Sequence, residues 1–275
     1  MQLPEPSTSV GRAGLAALIA GPARALVAVD FDGTLAPIAV DPQDARPAVG
    51  AVEALAALAR RIGSVAVVTG RPAAVAVELG GFEAVPGLWV LGHYGMEQWH
   101  DGTLDSPAPD PAVDEVRGRL GAILADAPEG VRIEDKVHSL VVHTRPTADP
   151  RAALALLGPR LRQLAADVGL EAIPGRFAVE IRPAGVDKGS ALAGLVRKRE
   201  ARAVAFIGDD VGDLPAFAVV ESLRHDGVPG LTVASVDPVV DDAPLELADR
   251  ADLVLPGPAA VVTFVTALAA AIGDS

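Results

Sequence analysis

The 275-residue sequence predicts an α/β protein: a Rossmann-like core built on a parallel sheet, interrupted by an α+β domain with the element order α-β-β-α-β-β. Two observations carry this prediction. Short apolar runs alternate with helical patterns at both ends of the chain, which is typical of a parallel sheet covered by helices on both faces. Between them, paired alternating runs favour an antiparallel sheet. We therefore expect a core of residues 1–106 and 185–275 and an inserted domain of residues 107–184.

The first part of the core contains apolar runs separated by helical patterns. The runs are short and continuous, as in strands that are buried on both faces. Between the first two runs, Val49, Val52, Leu55 and Leu58 repeat at helical spacing. In chain order we expect a strand at 25–30, a helix at 48–61, a strand at 64–69, a helix at 72–80 and a strand at 88–91.

The middle of the chain begins after a proline-rich segment, Asp105–Pro111, and ends at Pro183–Gly185. Its runs alternate between apolar and polar residues, and short turns connect them in pairs, which favours antiparallel pairing. Two helical patterns supply the layer that covers one face of this sheet. In order we expect a helix at 112–126, strands at 131–136 and 138–145, a helix at 150–168, and strands at 170–174 and 177–182.

The parallel pattern then returns. We expect a helix at 188–199, a strand at 203–207, a helix at 213–221, strands at 231–234 and 253–255, and a buried helix at 259–272. Residues 253–273 carry no charge, but Pro256, Gly257 and Pro258 interrupt them and leave too short a segment to span a bilayer. The apolar stretch 13–20 is a poor signal peptide, because Glu5 lies where basic residues are needed. We therefore expect a cytoplasmic protein.

The composition excludes several kinds of chemistry. With 23 basic and 36 acidic residues, the net charge of −13 disfavours nucleic acid and anionic membranes as partners. The absence of cysteine excludes disulfides, thiolate metal sites and cysteine nucleophiles. A metal would have to bind oxygen or imidazole, and oxygen ligands suit Mg²⁺. The oligomeric state stays open, with a monomer slightly favoured.

The strongest chemical motif is Asp30-Phe31-Asp32-Gly33-Thr34-Leu35, directly after the first strand. Ligands of α/β folds bind at the carboxyl ends of the strands. Two carboxylates so close together repel each other unless a cation joins them. Gly33 permits the close approach of a ligand to the backbone. The motif predicts a metal or phosphoryl site, against the alternative of a helix cap or a polar turn.

Further polar residues follow other strands. Thr69 can give a hydroxyl and an amide to a phosphoryl oxygen, or it can be an ordinary helix N-cap. Lys188 begins a helix, where a cation opposes the dipole, so it is either an anion ligand or a solvated lysine. Asp213 lies one helical turn beyond Asp209, so both can face one site. Together, these clusters predict a magnesium–phosphoryl site.

The order of these motifs resembles that of the haloacid-dehalogenase-like phosphohydrolases. Finer features resemble the trehalose-6-phosphate phosphatase family within them. Those features are the segments Gly92–Glu97, Glu134–Lys136, Ser139–Arg145 and Glu180–Gly189. The resemblance extends from about Leu26 to the C-terminal helix.

The resemblance implies a role for each core motif. Asp30 would take the phosphoryl group as nucleophile, and Asp32 would act as general acid and then base. Thr69 and Lys188 would hold the phosphoryl oxygens. Mg²⁺ would bind Asp30, the main-chain oxygen of Asp32, and Asp209, with Asp213 supporting Lys188 or metal-bound water.

The inserted domain would be a cap that closes over the sugar of a small sugar phosphate. The residues expected to bind substrate are Gly33, Gly70, Arg71, His93, Glu134, Lys136, Arg176, Glu180 and Asp210. For Glu134, Lys136 and Glu180 the alternative is a set of salt bridges on a solvated strand face. The chain departs from the family at Arg176, where lysine is usual, and in lacking a threonine in the last motif and a tyrosine near His143.

Three functions stay open. The resemblance favours a phosphatase acting on trehalose 6-phosphate. A related phosphatase could act on a sucrose, glucosylglycerol or mannosyl-phosphoglycerate type of substrate. The alternative from another class is a non-catalytic module that binds a sugar phosphate and regulates a partner.

Overall fold

The computed structural model describes residues 3–39, 41–175, 177–236 and 245–273. The chain divides into two compact units, Met1–Ser106 with Asp187–Ser275, and Pro107–Val186. Helices are α1 Ser9–Ala20, α2 Ala51–Ala59, α3 Ala73–Gly80, α4 Pro111–Ile123, α5 Pro150–Asp167, α6 Lys188–Arg199, α7 Leu214–His225, α8 Leu245–Arg250 and α9 Pro258–Gly273. Strands are β1 Ala25–Val29, β2 Ser64–Val68, β3 Leu88–Gly92, β4 Glu97–His100, β5 Thr103–Asp105, β6 Arg132–Asp135, β7 Leu140–His143, β8 Leu170–Gly175, β9 Ala178–Pro183, β10 Ala203–Gly208, β11 Gly230–Ser235 and β12 Leu253–Leu255.

The first unit contains an eight-stranded sheet in the order β12-β11-β10-β1-β2-β3-β4-β5. Strands β12 to β3 of this order are parallel, whereas β4 and β5 add antiparallel pairs at one edge. The central strand β1 is buried along its whole length, with successive side chains in two different apolar clusters. This alternation confirms the predicted α/β class, because it requires helices on both faces of the sheet.

The two faces of this sheet are covered by different helices. On one face, Val27 and Val29 pack in a cluster with residues of α1, α2, α3 and α9. On the other face, Leu26 and Ala28 pack with residues of α6, α7 and α8. The carboxyl ends of β10, β1 and β2 carry the polar residues of the site.

The second unit contains an antiparallel sheet in the order β6-β7-β9-β8. One face buries Leu140, Val142, Val179 and Ile181 against α4 and α5. Both helices begin with a proline after an aspartate, Asp110 and Asp149, whose side chain accepts a hydrogen bond from the first turn. The other face of the sheet carries mainly polar residues.

Several elements differ from the sequence prediction. Helix α2 begins at Ala51 rather than at residue 48, because Gly50 adopts a left-handed conformation with φ of 86°. Val49 is therefore exposed and does not belong to the apolar helix face. A 3₁₀ turn at Val211–Asp213 precedes α7, which ends at His225 rather than at 221. The sequence patterns did not predict α1, α8, β4 or β5. None of the helices in the described part of the chain has the length and apolarity needed to cross a membrane.

Candidate active site

The site lies at the carboxyl ends of three neighbouring parallel strands. Asp30 directly follows β1, Thr69 follows β2, and Asp209 follows β10. Because β10, β1 and β2 are adjacent in the sheet, these ends lie side by side. Asp30 and Thr69 are buried, and Asp209 is partly exposed. The structure therefore brings together polar residues that are far apart in the sequence.

The turn after Asp30 is shaped around the Asp209 carboxylate. Gly33 has φ of 84°, and a Cβ there would lie 2.7 Å from Asp209 Oδ1 and closer still to Oδ2. The buried Thr34 hydroxyl donates a hydrogen bond of 3.0 Å to Asp209 Oδ1. The Ser235 hydroxyl, at the end of β11, donates to the Gly33 carbonyl at 2.9 Å. No sequence pattern predicted these roles of Thr34 and Ser235, although Thr34 belongs to the motif after β1.

Lys188 is a buried cation at the centre of the site. Its Nζ lies 2.8 Å from Asp30 Oδ1 and 2.8 Å from Asp213 Oδ1. Lys188 begins α6, where a cation interacts unfavourably with the helix dipole. Asp187 and Ser190 form a capping box that offsets this unfavourable interaction. The alternative of a solvated surface lysine is therefore wrong.

Asp213 organises the loop after β10. Its Oδ2 accepts hydrogen bonds from the amides of Asp209 (2.9 Å) and Asp210 (3.1 Å), while Oδ1 accepts from Lys188. The carboxylate fits under the loop because residue 208 is a glycine. A Cβ added at this position would lie 2.6 Å from Asp213 Cβ. Asp210 is exposed, and its carboxylate accepts a hydrogen bond from the Gly212 amide.

Burial and mutual repulsion set the electrostatics of these carboxylates. Burial raises the pKa of Asp30 well above its usual range, and Lys188 opposes this effect while Asp213 and Asp209 add to it. Burial, with the charge of Asp213, raises the pKa of Asp209 to about 7. Burial also raises the pKa of Asp213, against the effect of Lys188. Burial lowers the pKa of Lys188, but Asp213 and Asp30 outweigh it and hold the pKa well above its usual value.

The same carboxylates form a group that can hold a metal ion. Asp30, Asp209 and Asp213 each offer an oxygen, and these oxygens lie within 4.8 Å of one another. Burial raises the pKa values of Asp30 and Asp209, and the neighbouring carboxylates raise them further. A divalent cation would relieve this crowding of negative charge. Hard oxygen ligands of this kind suit Mg²⁺. The chemistry of the donor set therefore fits a hard divalent cation.

Arg71 does not stand apart as a free anion ligand but pairs with Asp32. Its Nε donates to Asp32 Oδ2 at 2.6 Å and its Nη2 donates to Oδ1 at 2.7 Å. Thr69 Oγ1 accepts a hydrogen bond from the Arg71 amide at 3.1 Å. Glu97, rather than Thr69, accepts the hydrogen bond of 2.7 Å from the first amide of α3, at Ala73. The N-cap alternative for Thr69 is therefore wrong. Glu97, which entered the sequence analysis only as the end of the Gly92–Glu97 segment, has a structural role at the start of α3.

The loop of Gly70 packs against the turn after β3. A Cβ on Gly70 would lie 2.7 Å from Tyr94 Oη, so the glycine permits this approach. The turn holds the buried His93, and both His93 and Tyr94 have positive φ, 46° and 58°. The sequence expectation that Gly70 and His93 bind substrate stays a prediction.

The polar face of the sheet in the second unit carries the other candidate residues. Glu134 pairs with His143 at 2.8 Å, and Glu180 lies opposite Glu134 across one intervening strand. Glu180 Oε1 accepts a hydrogen bond of 2.7 Å from the Ser139 hydroxyl and lies 3.8 Å from Lys136 Nζ. These ion pairs match the salt-bridge alternative, and they also place Glu134, Lys136 and Glu180 on one face. Arg176 lies outside the described residues.

Comparisons with known proteins identify the family. A family described as Trehalose-phosphatase matches residues 28–243. The trehalose-phosphate phosphatase of Mycobacterium avium (strain 104) is 35% identical over 211 residues, which cover 73% of this chain and 52% of that protein. This chain spans about half the length of the named relatives that it matches.

Solved structures share the fold. The trehalose-6-phosphate phosphatase C-terminal domain of C. albicans has a TM-score of 0.74 at 20% identity, covering 98% of this chain and 99% of that chain. A crystal form of the Aspergillus fumigatus trehalose-6-phosphate phosphatase has a TM-score of 0.70 at 24% identity, covering 97% and 99%.

The fold and the site define an α/β protein with an acidic site at the carboxyl ends of its parallel strands. Within that class, the chain belongs to the trehalose-phosphatase family, because the family match covers most of its length.

Proposed function

We propose that this chain is a Mg²⁺-dependent phosphatase that hydrolyses trehalose 6-phosphate to trehalose and phosphate. The observation that carries the proposal is the buried Lys188, held 2.8 Å from both Asp30 and Asp213 at the strand ends. An isolated lysine so deeply buried is costly, and its position beside Asp30 gives a phosphoryl group a fixed cation. The choice of trehalose 6-phosphate rests on the family and on the names of the relatives.

In the first half of the reaction, a carboxylate oxygen of Asp30 attacks phosphorus and forms the P–O bond of an aspartyl-phosphate. The P–O bond to the sugar breaks, and its electron pair goes to the sugar oxygen. That oxygen takes a proton from the carboxyl group of Asp32 and leaves as the free sugar. Lys188 and the hydroxyl and amide of Thr69 hold the phosphoryl oxygens during transfer.

In the second half, water attacks the phosphorus of the aspartyl-phosphate and passes a proton to the Asp32 carboxylate. The P–O bond to Asp30 breaks, its electron pair returns to the Asp30 carboxylate, and phosphate leaves. Asp30, the main-chain oxygen of Asp32, and Asp209 would hold Mg²⁺, which neutralises phosphoryl charge when bound. Asp213 keeps Lys188 and the loop after β10 in place.

We assign sugar recognition to the polar sheet face of the 107–186 unit. Glu134 and Glu180 offer acceptors for sugar hydroxyls, and Lys136 offers donors. We also propose Gly33, Gly70, Arg71, His93 and Asp210 as residues that border the substrate in the core. A cytoplasmic location, a cap role for this unit and a monomeric state stay predictions.

A phosphate-release assay across sugar phosphates, with Mg²⁺ and after chelation, tests the function. We expect trehalose 6-phosphate to be the best substrate and EDTA to abolish release. Equal or faster release from a sucrose, glucosylglycerol or mannosyl-phosphoglycerate type of substrate would overturn the choice of sugar. Saturable binding of sugar phosphate with no release would instead identify a binding module.

The covalent step has a separate test. Borohydride reduces an aspartyl-phosphate to homoserine, so peptide mass spectrometry of protein quenched during turnover can locate it. We expect homoserine at position 30 in the wild type. The Asp30→Asn variant, which lacks the nucleophile, should show neither the homoserine nor phosphate release. Turnover in that variant would exclude Asp30 as the nucleophile.

A further inference from the structure

The loop after β2 holds Arg71 by its backbone on both sides. The Arg71 amide donates to Thr69 Oγ1 at 3.1 Å, and the Arg71 carbonyl accepts from the His93 amide at 2.8 Å. The Tyr94 amide donates to the Thr69 carbonyl at 2.9 Å. Because the turn after β3 binds this loop at two points, the position of the Arg71 main chain is fixed relative to the sheet.

The Arg71 side chain is fixed as well. Its guanidinium makes two hydrogen bonds to the Asp32 carboxylate, one to each oxygen. The guanidinium carbon lies 5.5 Å from the centroid of the Phe31 ring, which is fully buried. Only 14% of the Arg71 side chain is exposed. A two-point pair held on an aromatic face fixes the plane of the carboxylate, which a single contact from a flexible lysine does not do.

This ion pair leaves the Asp32 carboxylate able to accept a further hydrogen bond. Both contacts use N–H donors of Arg71, so both Asp32 oxygens act as acceptors. Each carboxylate oxygen uses one lone pair for Arg71 and keeps another for a second partner. The Asp32 side chain is 34% exposed, so water can reach it. An oriented acceptor that water can reach is what the second half of the proposed reaction requires.

We propose that Arg71 is a positioning residue that holds the Asp32 carboxylate in one orientation to accept the proton of the water that hydrolyses the aspartyl-phosphate. This inference rests on the proposed function. In this step the water oxygen bonds to phosphorus, the P–O bond to Asp30 breaks with its electrons returning to Asp30, and the water proton goes to Asp32. Arg71 acts on this step through Asp32 alone.

Kinetics with p-nitrophenyl phosphate separate the two halves of the reaction. The nitrophenolate leaves as an anion, so formation of the aspartyl-phosphate needs no proton from Asp32. For such a substrate, kcat/KM reports formation of the intermediate, whereas kcat falls when its hydrolysis is slow. General base catalysis raises a rate about 10²–10⁴-fold, so a partial loss of the positioning of Asp32 should produce a measurable fall in kcat.

We expect Arg71→Met, assayed with Mg²⁺, to lower kcat by at least roughly tenfold and KM in proportion. The kcat/KM value should stay within about threefold of wild type. Stopped-flow mixing should show a burst of nitrophenolate near one equivalent, followed by slow turnover. Asp32→Asn should give the same burst, and adding Arg71→Met to it should change nothing further. Arg71→Lys, which keeps the charge without the fork, should give an intermediate kcat.

A matched control is available in Arg250, which makes the same two-point contact with Glu221. Arg250→Met should leave kcat and kcat/KM unchanged, with no burst.

A fall in kcat/KM with a raised KM in Arg71→Met would overturn the proposal and assign Arg71 to the phosphoryl group. A lower melting temperature with no burst would assign it a structural role only. If the wild type releases no phosphate from aryl or sugar phosphates, the proposed function itself fails. If the wild type releases phosphate but Arg71→Met shows no burst, only this inference fails.

Discussion

The turn after β1 and the end of β10 can meet only because residue 33 lacks a side chain: a Cβ on Gly33 would lie 2.7 Å from Asp209 Oδ1. Gly33 also has φ of 84°, a conformation that other residues adopt at a cost of about 1 kcal/mol or more. Two separate effects of a substitution at this position can therefore be distinguished, one on the backbone and one on the Asp209 carboxylate.

We expect Gly33→Ala to abolish most phosphate release, because the new methyl group displaces the Asp209 carboxylate. Gly87→Ala is the matched control, since Gly87 has φ of 71° and open space within 4 Å among the described residues. Both variants should lose about 1–2 kcal/mol of unfolding free energy through the backbone, measured by urea denaturation. Only Gly33→Ala should lose activity; equal activity in the two variants would contradict the role of the close approach.

The sequence motifs located the residues of the site because parallel strands place their carboxyl ends at one edge of the sheet. Asp30, Thr69 and Asp209 could therefore be placed together from the apolar runs that precede them. The hydrogen-bond and ion-pair partners of these side chains could not be predicted in this way. The Arg71 fork onto Asp32 joins the ends of two strands, and its geometry depends on side-chain rotamers that no local pattern encodes.

The elements that the sequence analysis missed are short or have a weak pattern. Strands β4 and β5 contain only four and three residues, and neither forms a continuous apolar run like that of β12, so their sequences give no strand pattern. Val49 fitted the helical spacing of its neighbours, yet the left-handed Gly50 starts the helix after it. Glu97 caps α3 from a strand that is distant in sequence, and such a tertiary cap leaves no signal near the helix it stabilises.

Lys188 stabilises the core as well as serving the proposed chemistry. Its removal leaves the buried carboxylates of Asp30 and Asp213 without their shared cation. We expect Lys188→Met to lower the free energy of unfolding in EDTA by about 3–5 kcal/mol, as measured by denaturant titration. Adding Asp213→Asn should recover part of this loss, because one of the two unpaired charges disappears.

The control for this prediction is Lys198, an exposed lysine on the same helix that lies 4.3 Å from the Trp89 ring centroid. Lys198→Met should cost less than about 1 kcal/mol, the usual value of an exposed cation–π contact. If Lys188→Met were as stable as Lys198→Met, the buried ion-pair network would not contribute to folding.

A divalent cation should stabilise the folded chain through the crowded carboxylates. Adding Mg²⁺ to EDTA-treated protein is expected to raise the melting temperature, because an ion that binds only the folded state shifts the unfolding equilibrium. Asp209→Asn should abolish this rise. In EDTA the same variant should melt above the wild type, since it removes one of the charges that repel Asp30 and Asp213.

Asp226→Asn is a control for this prediction, because it also removes one acidic charge and lies exposed at the end of α7. Its Mg²⁺-dependent rise in melting temperature should equal that of the wild type. A rise that survives in Asp209→Asn would place the cation elsewhere on the protein.

Substitutions on the polar face of the second unit should lower kcat/KM for the sugar phosphate and leave kcat/KM for a small aryl phosphate unchanged. Glu180 accepts a hydrogen bond from Ser139 and lies near Lys136. A hydrogen bond to a charged group contributes about 1.5–3 kcal/mol, so Glu180→Gln should lower kcat/KM for trehalose 6-phosphate roughly 10- to 100-fold. The value for p-nitrophenyl phosphate should stay the same, as should both values in Glu115→Gln, which alters an exposed residue of α4. An equal loss on both substrates would show that Glu180 acts on phosphoryl transfer or on folding rather than on the sugar.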